Sequence, residues 1–450
     1  MEKRSSFSGK VGFILASASS AVGLGNIWRF PYLSAKYGGG IFLFVYVIFS
    51  ITFGFALMVC EIAIGRKTGL SAIGAFGKIK KKYSFIGYIT SLIPIIILPY
   101  YCVIGGWVMK YLFSFAASQG YEASLDGYFD SFIGNSGETV IWLGLFAILT
   151  FIIVMLGVEK GIEKASKIAM PILAVLSVII AIYVVFLPGA WEGVIYYIKP
   201  DFAHFSIKTV VGAMGQLFYS MSLAMGIMIT YGSYMKKDVN IEKSVHLIEI
   251  FDTLIAFASG LMIIPAVFAF SGGDEGALNQ GAGLMFVTLP KVFLSMKGGE
   301  IIGGLFFLLV FFAALTSSVS MAETIVSIIK DKTKLSRALI CIFVIVGTFV
   351  LGVPSCLGYG IWSDVKIFDL HILDMFDFLS NSILMPTSAL LVCIFIGYIT
   401  KPKFIIDEVS QNGEFKSKNL FSIMIKYVAP IFLVTILVSS VINLLGIAEI

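Results

Sequence analysis

Asp252 places a carboxylate inside the apolar stretch LIEIFDTLIAFASG. It lies nine residues beyond Lys243, and nine helical residues rise roughly 13 Å, close to the middle of a hydrocarbon core about 30 Å thick. A charge at that depth costs several kcal/mol unless it is paired. The side chain therefore calls for a cation partner, Na⁺ being the plausible one, with a structural hydrogen bond as the alternative. Oxygen donors that suit a hard monovalent cation recur in other apolar stretches. ALTSSVSMAE gathers Thr316, Ser317, Ser318 and Ser320 into about a turn and a half, although hydroxyls in membrane helices commonly bond the carbonyl one turn back. ASSAVGLGNIWRFPY, residues 18–32, adds Asn26 and Arg29 among glycines, and GQLFYSMSLAMG, residues 215–226, adds Gln216, Ser220 and Ser222.

These groups do not assemble into catalytic chemistry. No nucleophile with a paired base, metal-ligand cluster or phosphate-binding glycine loop is evident, so the chain reads as neither an enzyme nor an ATP-driven pump. The five cysteines are odd in number and lack metal-ligand spacing, and His204, His246 and His371 are isolated singles.

The elements that must carry the polar groups follow from composition. Of the 450 residues, 58% are hydrophobic and 13% charged, with a mean hydropathy of +0.96. That charge is roughly half the share of a water-soluble protein. Windows long enough to cross a bilayer recur throughout, near residues 11–35, 41–64, 84–116, 139–157, 167–187, 209–233, 244–270, 299–329, 336–353, 371–399 and 420–446. With the amino terminus inside, 24 of the 32 Lys and Arg fall in cytoplasmic segments and six outside. This asymmetry predicts an inner-membrane protein with a cytoplasmic amino terminus and, after eleven crossings, an external carboxyl terminus. The net charge of +5 is then a topology signal and implies no nucleic-acid partner. The small residues of ILASASSA do not mark a cleaved leader, because the apolar run before them is short and the span continues past them.

The first and sixth spans carry glycines and polar residues at mid-length. If residues 11–187 and 209–399 are five-helix repeats, the odd count inverts one relative to the other, and 420–446 is an extra span. The two interruptions then occupy corresponding positions, which marks a midplane binding site between inverted repeats. Unwound turns survive in a membrane only against protein, water or ligand. Half-helix amino ends attract a carboxylate, and freed carbonyls attract Na⁺ or an ammonium group, so a zwitterionic amino acid fits. Arg29 and Asp377 flank this level on the external side as a reversible latch, and Arg4 and Asp331 on the cytoplasmic side. Gly161 and Pro171, in GIEKASKIAMP, weaken the start of the fifth span, where unwinding would open a water path inward.

SSAVGLGNIWRFPY, the serine-rich sixth span, ALTSS and GIEKASKIAMP together resemble the neurotransmitter:sodium symporter family, specifically its bacterial amino-acid transporters, from about Arg4 to Val441. The resemblance implies one Na⁺ held by Ala21, Asn26, Ser220, Asp252 and the substrate carboxylate. It implies a second held by carbonyls of Ser19, Val22 and Ala313 with the hydroxyls of Thr316 and Ser317. The substrate carboxylate would meet Tyr101 and the N–H groups near Leu24 and Gly25. Its ammonium group would meet carbonyls of Ala21, Tyr219 and Ser220 and the Ser222 side chain. Ile97, Tyr219, Met225, Ser318 and Met321 would line the side-chain pocket. Arg29, Asp377 and Gln216 resemble an outer gate, and Arg4 with Asp331 an inner one. Many relatives have twelve spans, so contacts of a twelfth helix do not transfer and the oligomeric state stays open.

Asp252 stands where many relatives have Asn. A fixed carboxylate supplies the charge that chloride provides in chloride-dependent relatives, so chloride is not required. The pocket candidates include no ionisable side chain except Tyr, which disfavours acidic and basic substrates. The expected activity is sodium-coupled import of an aromatic or branched aliphatic L-amino acid. Proton coupling on the same fold and a non-transporting amino-acid sensor are the alternatives.

Overall fold

The computed structural model describes residues 5–272 and 283–444. The chain is helical almost throughout. Among the described residues, nine helices are individually long and apolar enough to cross a membrane, and Lys10–Ala21 with Gly25–Lys36 forms a tenth crossing bent by 50°. The remaining expected span is Ile207–Ser220 followed by Ile227–Tyr234. Each half alone is too short to cross, and residues 221–226 separate them. All eleven expected spans are therefore present in order, giving an all-α polytopic fold with interrupted first and sixth spans.

Burial sorts the spans into layers. The third, Lys81–Ala116, has 78% of its apolar window inside the protein, whereas the eleventh, Lys418–Ile442, has 28%. The eighth, Gly299–Lys332, is buried continuously from Ala313 to Ile328 and packs along the third. The amino-terminal half of the first span is likewise buried, from Gly12 almost without interruption to Ala21. Apolar side chains on spans four, five and nine point outward instead, including Ile152, Val175, Ile179 and Val346. In a bilayer such residues face lipid, and the buried spans enclose the polar groups.

The fifth span starts earlier than expected. Val158–Glu163 winds as a wide helical turn that runs into Lys164–Val185, with Pro171 inside the helix. A carboxylate ties the added turn to the amino-terminal segment. Glu163 accepts the Ser8 N–H at 2.8 Å and the Ser8 hydroxyl, and pairs with Lys167 at 2.6 Å. The Gly161–Pro171 stretch, weak by composition, is fully wound here.

Candidate functional site

The two interruptions face each other. In the first span the helix stops at Ala21, Val22 is extended (φ −74°, ψ 103°), and winding resumes at Gly25. Only glycine suits this turn. A Cβ on Gly23 would lie 2.6 Å from the Ser317 hydroxyl, and one on Gly25 would lie 2.6 Å from the Tyr219 ring. In the sixth span Ser222 and Ala224 have φ of 52° and 64°, a conformation costing of order 1–3 kcal/mol per residue that persists only when its surroundings impose it. The surroundings are specific. Buried Glu61 accepts the Ala224 N–H at 2.7 Å, and Ser222 donates to the Ser20 carbonyl at 2.8 Å. Gln216 ties the two breaks together, donating to the Gly25 carbonyl at 2.7 Å.

Asp252 lies beside these breaks with no solvent exposure. One carboxylate oxygen accepts from the Asn26 amide and the Ser220 hydroxyl, each at 2.8 Å, and the other accepts from Tyr46 at 2.9 Å. Tyr46 also lies 3.0 Å from Ser220. Four elements thus converge on one buried negative charge. Carboxylate, amide and hydroxyl oxygens form a hard donor set, suited to an alkali cation and unsuited to a soft metal.

A second oxygen cluster joins the first break to the eighth span. Ser317 donates to the carbonyls of Ser20 at 3.2 Å and Val22 at 3.4 Å, and Thr316 to those of Phe312 at 3.0 Å and Ala313 at 3.2 Å. Freed carbonyls beside hydroxyls are the chemistry that broken membrane helices present to Na⁺.

Between the clusters is a cavity with about 20 Å³ of free space. Its polar wall is backbone around Ala21–Gly25 with the Ser222 side chain, and its apolar wall includes Ile97, Tyr219, Met225, Ile227 and Met321. Tyr101 accepts the Leu24 N–H at 3.3 Å on the same wall. About 20 Å³ holds one or two waters, so a larger guest requires the flexible Met and Tyr side chains to move aside.

Comparison with known proteins gives one answer. A family model described as the sodium:neurotransmitter symporter family matches residues 4–123 and 121–448. The chain belongs to this family. YhdH of Bacillus subtilis, named as an uncharacterized sodium-dependent transporter, is 34% identical over 459 residues, covering 99% of each chain. A Haemophilus influenzae sodium-dependent transporter is 32% identical, with 98% of each covered. The structure of MhsT in complex with L-phenylalanine matches with a TM-score of 0.89 and 36% identity, over 97% of this chain and 100% of that one. Membership makes the protein a sodium-dependent, multi-pass membrane transporter and not an enzyme.

Within this family member, nine of the eleven residues expected around substrate line the central cavity: Ala21, Leu24, Gly25, Ile97, Tyr101, Tyr219, Ser222, Met225 and Met321. The other two point elsewhere. Ser220 turns to Asp252, and Ser318 turns away, donating to the Leu315 carbonyl at 2.8 Å and sharing a 2.9 Å hydrogen bond with Thr150 of the fourth span. Ser318 is thus corrected from pocket residue to interhelical contact, and its neighbour Ser317 lines the cavity instead. The Ser19 hydroxyl bonds Ala16 and Ser166, while Ser20, not expected, supplies the carbonyl that Ser317 touches. Sequence reasoning does not reach Tyr46 or Ile227, both of which belong to the site.

The expected gates are built differently from the ion-pair picture. Arg29 and Asp377 line one outer cavity of about 230 Å³, and no salt bridge joins them among the described residues. The Arg29 guanidinium lies 5.2 Å from the Tyr219 ring centroid, and Asp377 accepts from Asn381 at 2.6 Å and Tyr100 at 3.2 Å. Gln216 is committed to the first break and so does not join them. At the opposite end Asp331 accepts the Ser71 N–H at 2.7 Å and its hydroxyl at 2.6 Å. Arg4, the expected partner, lies outside the described residues.

Proposed function

We propose that the protein is a symporter that couples inward movement of a hydrophobic L-amino acid, aromatic or branched aliphatic, to two Na⁺ without requiring chloride. The observation that carries this reading is the fully buried Asp252, held by oxygen donors from four elements beside the two facing helix breaks. In this reading Asn26, Ser220 and Asp252, with the Ala21 carbonyl and the substrate carboxylate, hold the first Na⁺. Thr316, Ser317 and carbonyls of the first and eighth spans hold the second. The cavity wall offers an amino acid what its two ends need. The Leu24 and Gly25 N–H groups and Tyr101 suit the carboxylate, and the carbonyls of the opposite break with Ser222 suit the ammonium group. The apolar remainder excludes a charged side chain, and the L-phenylalanine bound by MhsT is a ligand of that class.

The proposed membrane is the cytoplasmic one, with the amino terminus inside, and the proposed repeats are residues 11–187 and 209–399. Arg29 with Asp377, and Arg4 with Asp331, are the proposed outer and inner gates. Stretch 161–171 is the proposed inward water path. Moving two Na⁺ down a 100 mV potential supplies about 4.6 kcal/mol, enough to concentrate a neutral amino acid more than about a thousandfold. The test is uptake of labelled phenylalanine, leucine and tryptophan into proteoliposomes under an inward Na⁺ gradient. Accumulation that disappears when choline replaces Na⁺ at fixed pH supports the reading. Accumulation driven by a pH gradient in choline refutes sodium coupling, and ligand binding without accumulation refutes transport.

A further inference from the structure

A second, apolar cavity of about 160 Å³ lies apart from the substrate cavity, between the fourth, fifth and eighth spans. Ile153, Ile162, Ala165, Ala169, Phe312 and Val319 form most of its wall. Only two hydroxyls reach it, and both already have partners. Ser166 shares a 2.7 Å hydrogen bond with Ser19, and Thr316 donates to Phe312 and Ala313. Water needs two to four polar partners, and an apolar cavity of roughly this size stays dry and takes benzene-sized guests. The surroundings offer such a guest. Ile168, on the wall, is 52% exposed, and exposed apolar residues continue along both flanking spans, Ile148 and Ile152 on one, Val175 and Ile179 on the other. The cavity is therefore next to bilayer hydrocarbon, in the half of the membrane nearer the Val158 end of the fifth span.

We propose that this cavity is a binding site for one phospholipid acyl chain from the adjacent leaflet, whose inner end rests against Thr316. The occupant packs against Ile162, Ala165 and Ala169, the inward face of the wound stretch between Gly161 and Pro171. An unwound stretch would lose that face. The chain therefore favours the wound form and keeps water from reaching Thr316 and Ser317 by this side, so it must leave or shift before a path opens there.

The test uses full-length protein in liposomes doped with a phospholipid bearing a photoactivatable diazirine at mid-chain, followed by peptide mass spectrometry. Labelling is expected at Val319 and Leu315, which are 2% and 8% exposed, as well as at lipid-facing Val175 and Ile179. Ala169→Phe fills the cavity and is expected to abolish label at Val319 and Leu315 while leaving Val175 and Ile179 labelled. Ala165→Leu is the smaller filling variant, for use if Ala169→Phe does not fold. Label confined to exposed residues, as a dry or water-filled cavity gives, overturns the proposal. So does label at Val319 that persists in the filled variants. The consequence for rate rests on the transport reading: filled variants should keep Na⁺-dependent amino-acid binding and slow amino-acid release into the liposome. Loss of uptake in every protein with the labelling pattern intact would overturn that reading and leave the lipid site standing.

Discussion

Replacing Asp252 by Asn removes the buried charge at nearly constant volume. The amide retains one oxygen for Asn26 and Ser220, which lie 2.8 Å from the present carboxylate oxygen, and Tyr46 can reorient its hydroxyl toward the new NH₂ group. The variant should therefore fold. What it loses is attraction for a cation: two unit charges 4 Å apart at an effective dielectric of 20 interact by about 4 kcal/mol. The amide oxygen recovers a portion as a dipole, leaving a net loss of about 2 kcal/mol, or roughly a 30-fold rise in the Na⁺ concentration needed for half-saturation. The assay is binding of labelled amino acid to purified protein across a Na⁺ titration, run in chloride and in gluconate. The original protein should titrate identically in both anions. An Asp252→Asn protein with unchanged Na⁺ dependence in gluconate would refute the assignment of this carboxylate to sodium. Uptake by the original protein that collapses in gluconate would refute chloride independence.

Adjacent hydroxyls should behave oppositely: Ser317→Ala raises the Na⁺ requirement severalfold in the same titration, whereas Ser318→Ala leaves it unchanged and lowers thermal stability by about 1 kcal/mol through loss of its bond to Leu315. Gly25→Ala drives a methyl group to 2.6 Å from the Tyr219 ring and should weaken amino-acid binding by at least about tenfold, equivalent to 1.4 kcal/mol, in a protein that still purifies as a folded species. Met321→Ala enlarges the apolar wall of the central cavity and should shift competition binding toward bulkier side chains, with about 1–3 kcal/mol of altered discrimination between leucine and tryptophan. Glu61→Leu removes the acceptor from the Ala224 N–H and should cost about 1–3 kcal/mol of stability, read as a lowered melting temperature together with faster hydrogen exchange at residues 221–226.

Much of the architecture is legible because a bilayer imposes few solutions. Apolar windows and two spans interrupted by glycine and polar residues locate the eleven crossings and both breaks. Asp252 stands out because a carboxylate at that depth has no bland explanation that costs nothing. The azimuth of a side chain on a buried helix is less legible. Successive residues are rotated by about 100°, so TSS identifies the level of the second oxygen cluster but does not say which serine faces the cavity, and it is Ser317 that does so. Tyr46 sits in GIFLFVYVIF, where a tyrosine looks like any large apolar residue until its hydroxyl is seen 2.9 Å from Asp252. The start of the fifth span is hard to place from sequence because Glu159, Lys160 and Glu163 lower its hydropathy, while Ser8, which holds the Glu163 carboxylate, is about 150 residues away in sequence.

The two oxygen clusters are not independent, and the link is a single backbone atom. The Ser20 carbonyl, freed at the first break, accepts from Ser222 of the sixth span at 2.8 Å and from Ser317 of the eighth at 3.2 Å. Ser222 also lines the substrate cavity, and Ser317 belongs to the proposed second sodium site. An ammonium group that recruits Ser222, or a cation that recruits Ser317, competes for the same hydroxyl–carbonyl contacts and so alters what the other encounters. The first cluster is tied in likewise, because Gln216 fixes the Gly25 carbonyl while Asn26, one residue on, donates to Asp252. In the proposed reading, ion and substrate would thus act on one short stretch, residues 20–26, whose peptide groups would be divided among three ligands. Coupling of this kind needs no long-range pathway. In the proposed reading each ligand would stabilise the arrangement of shared carbonyls and N–H groups that the others require, and by linkage the assistance would be reciprocal.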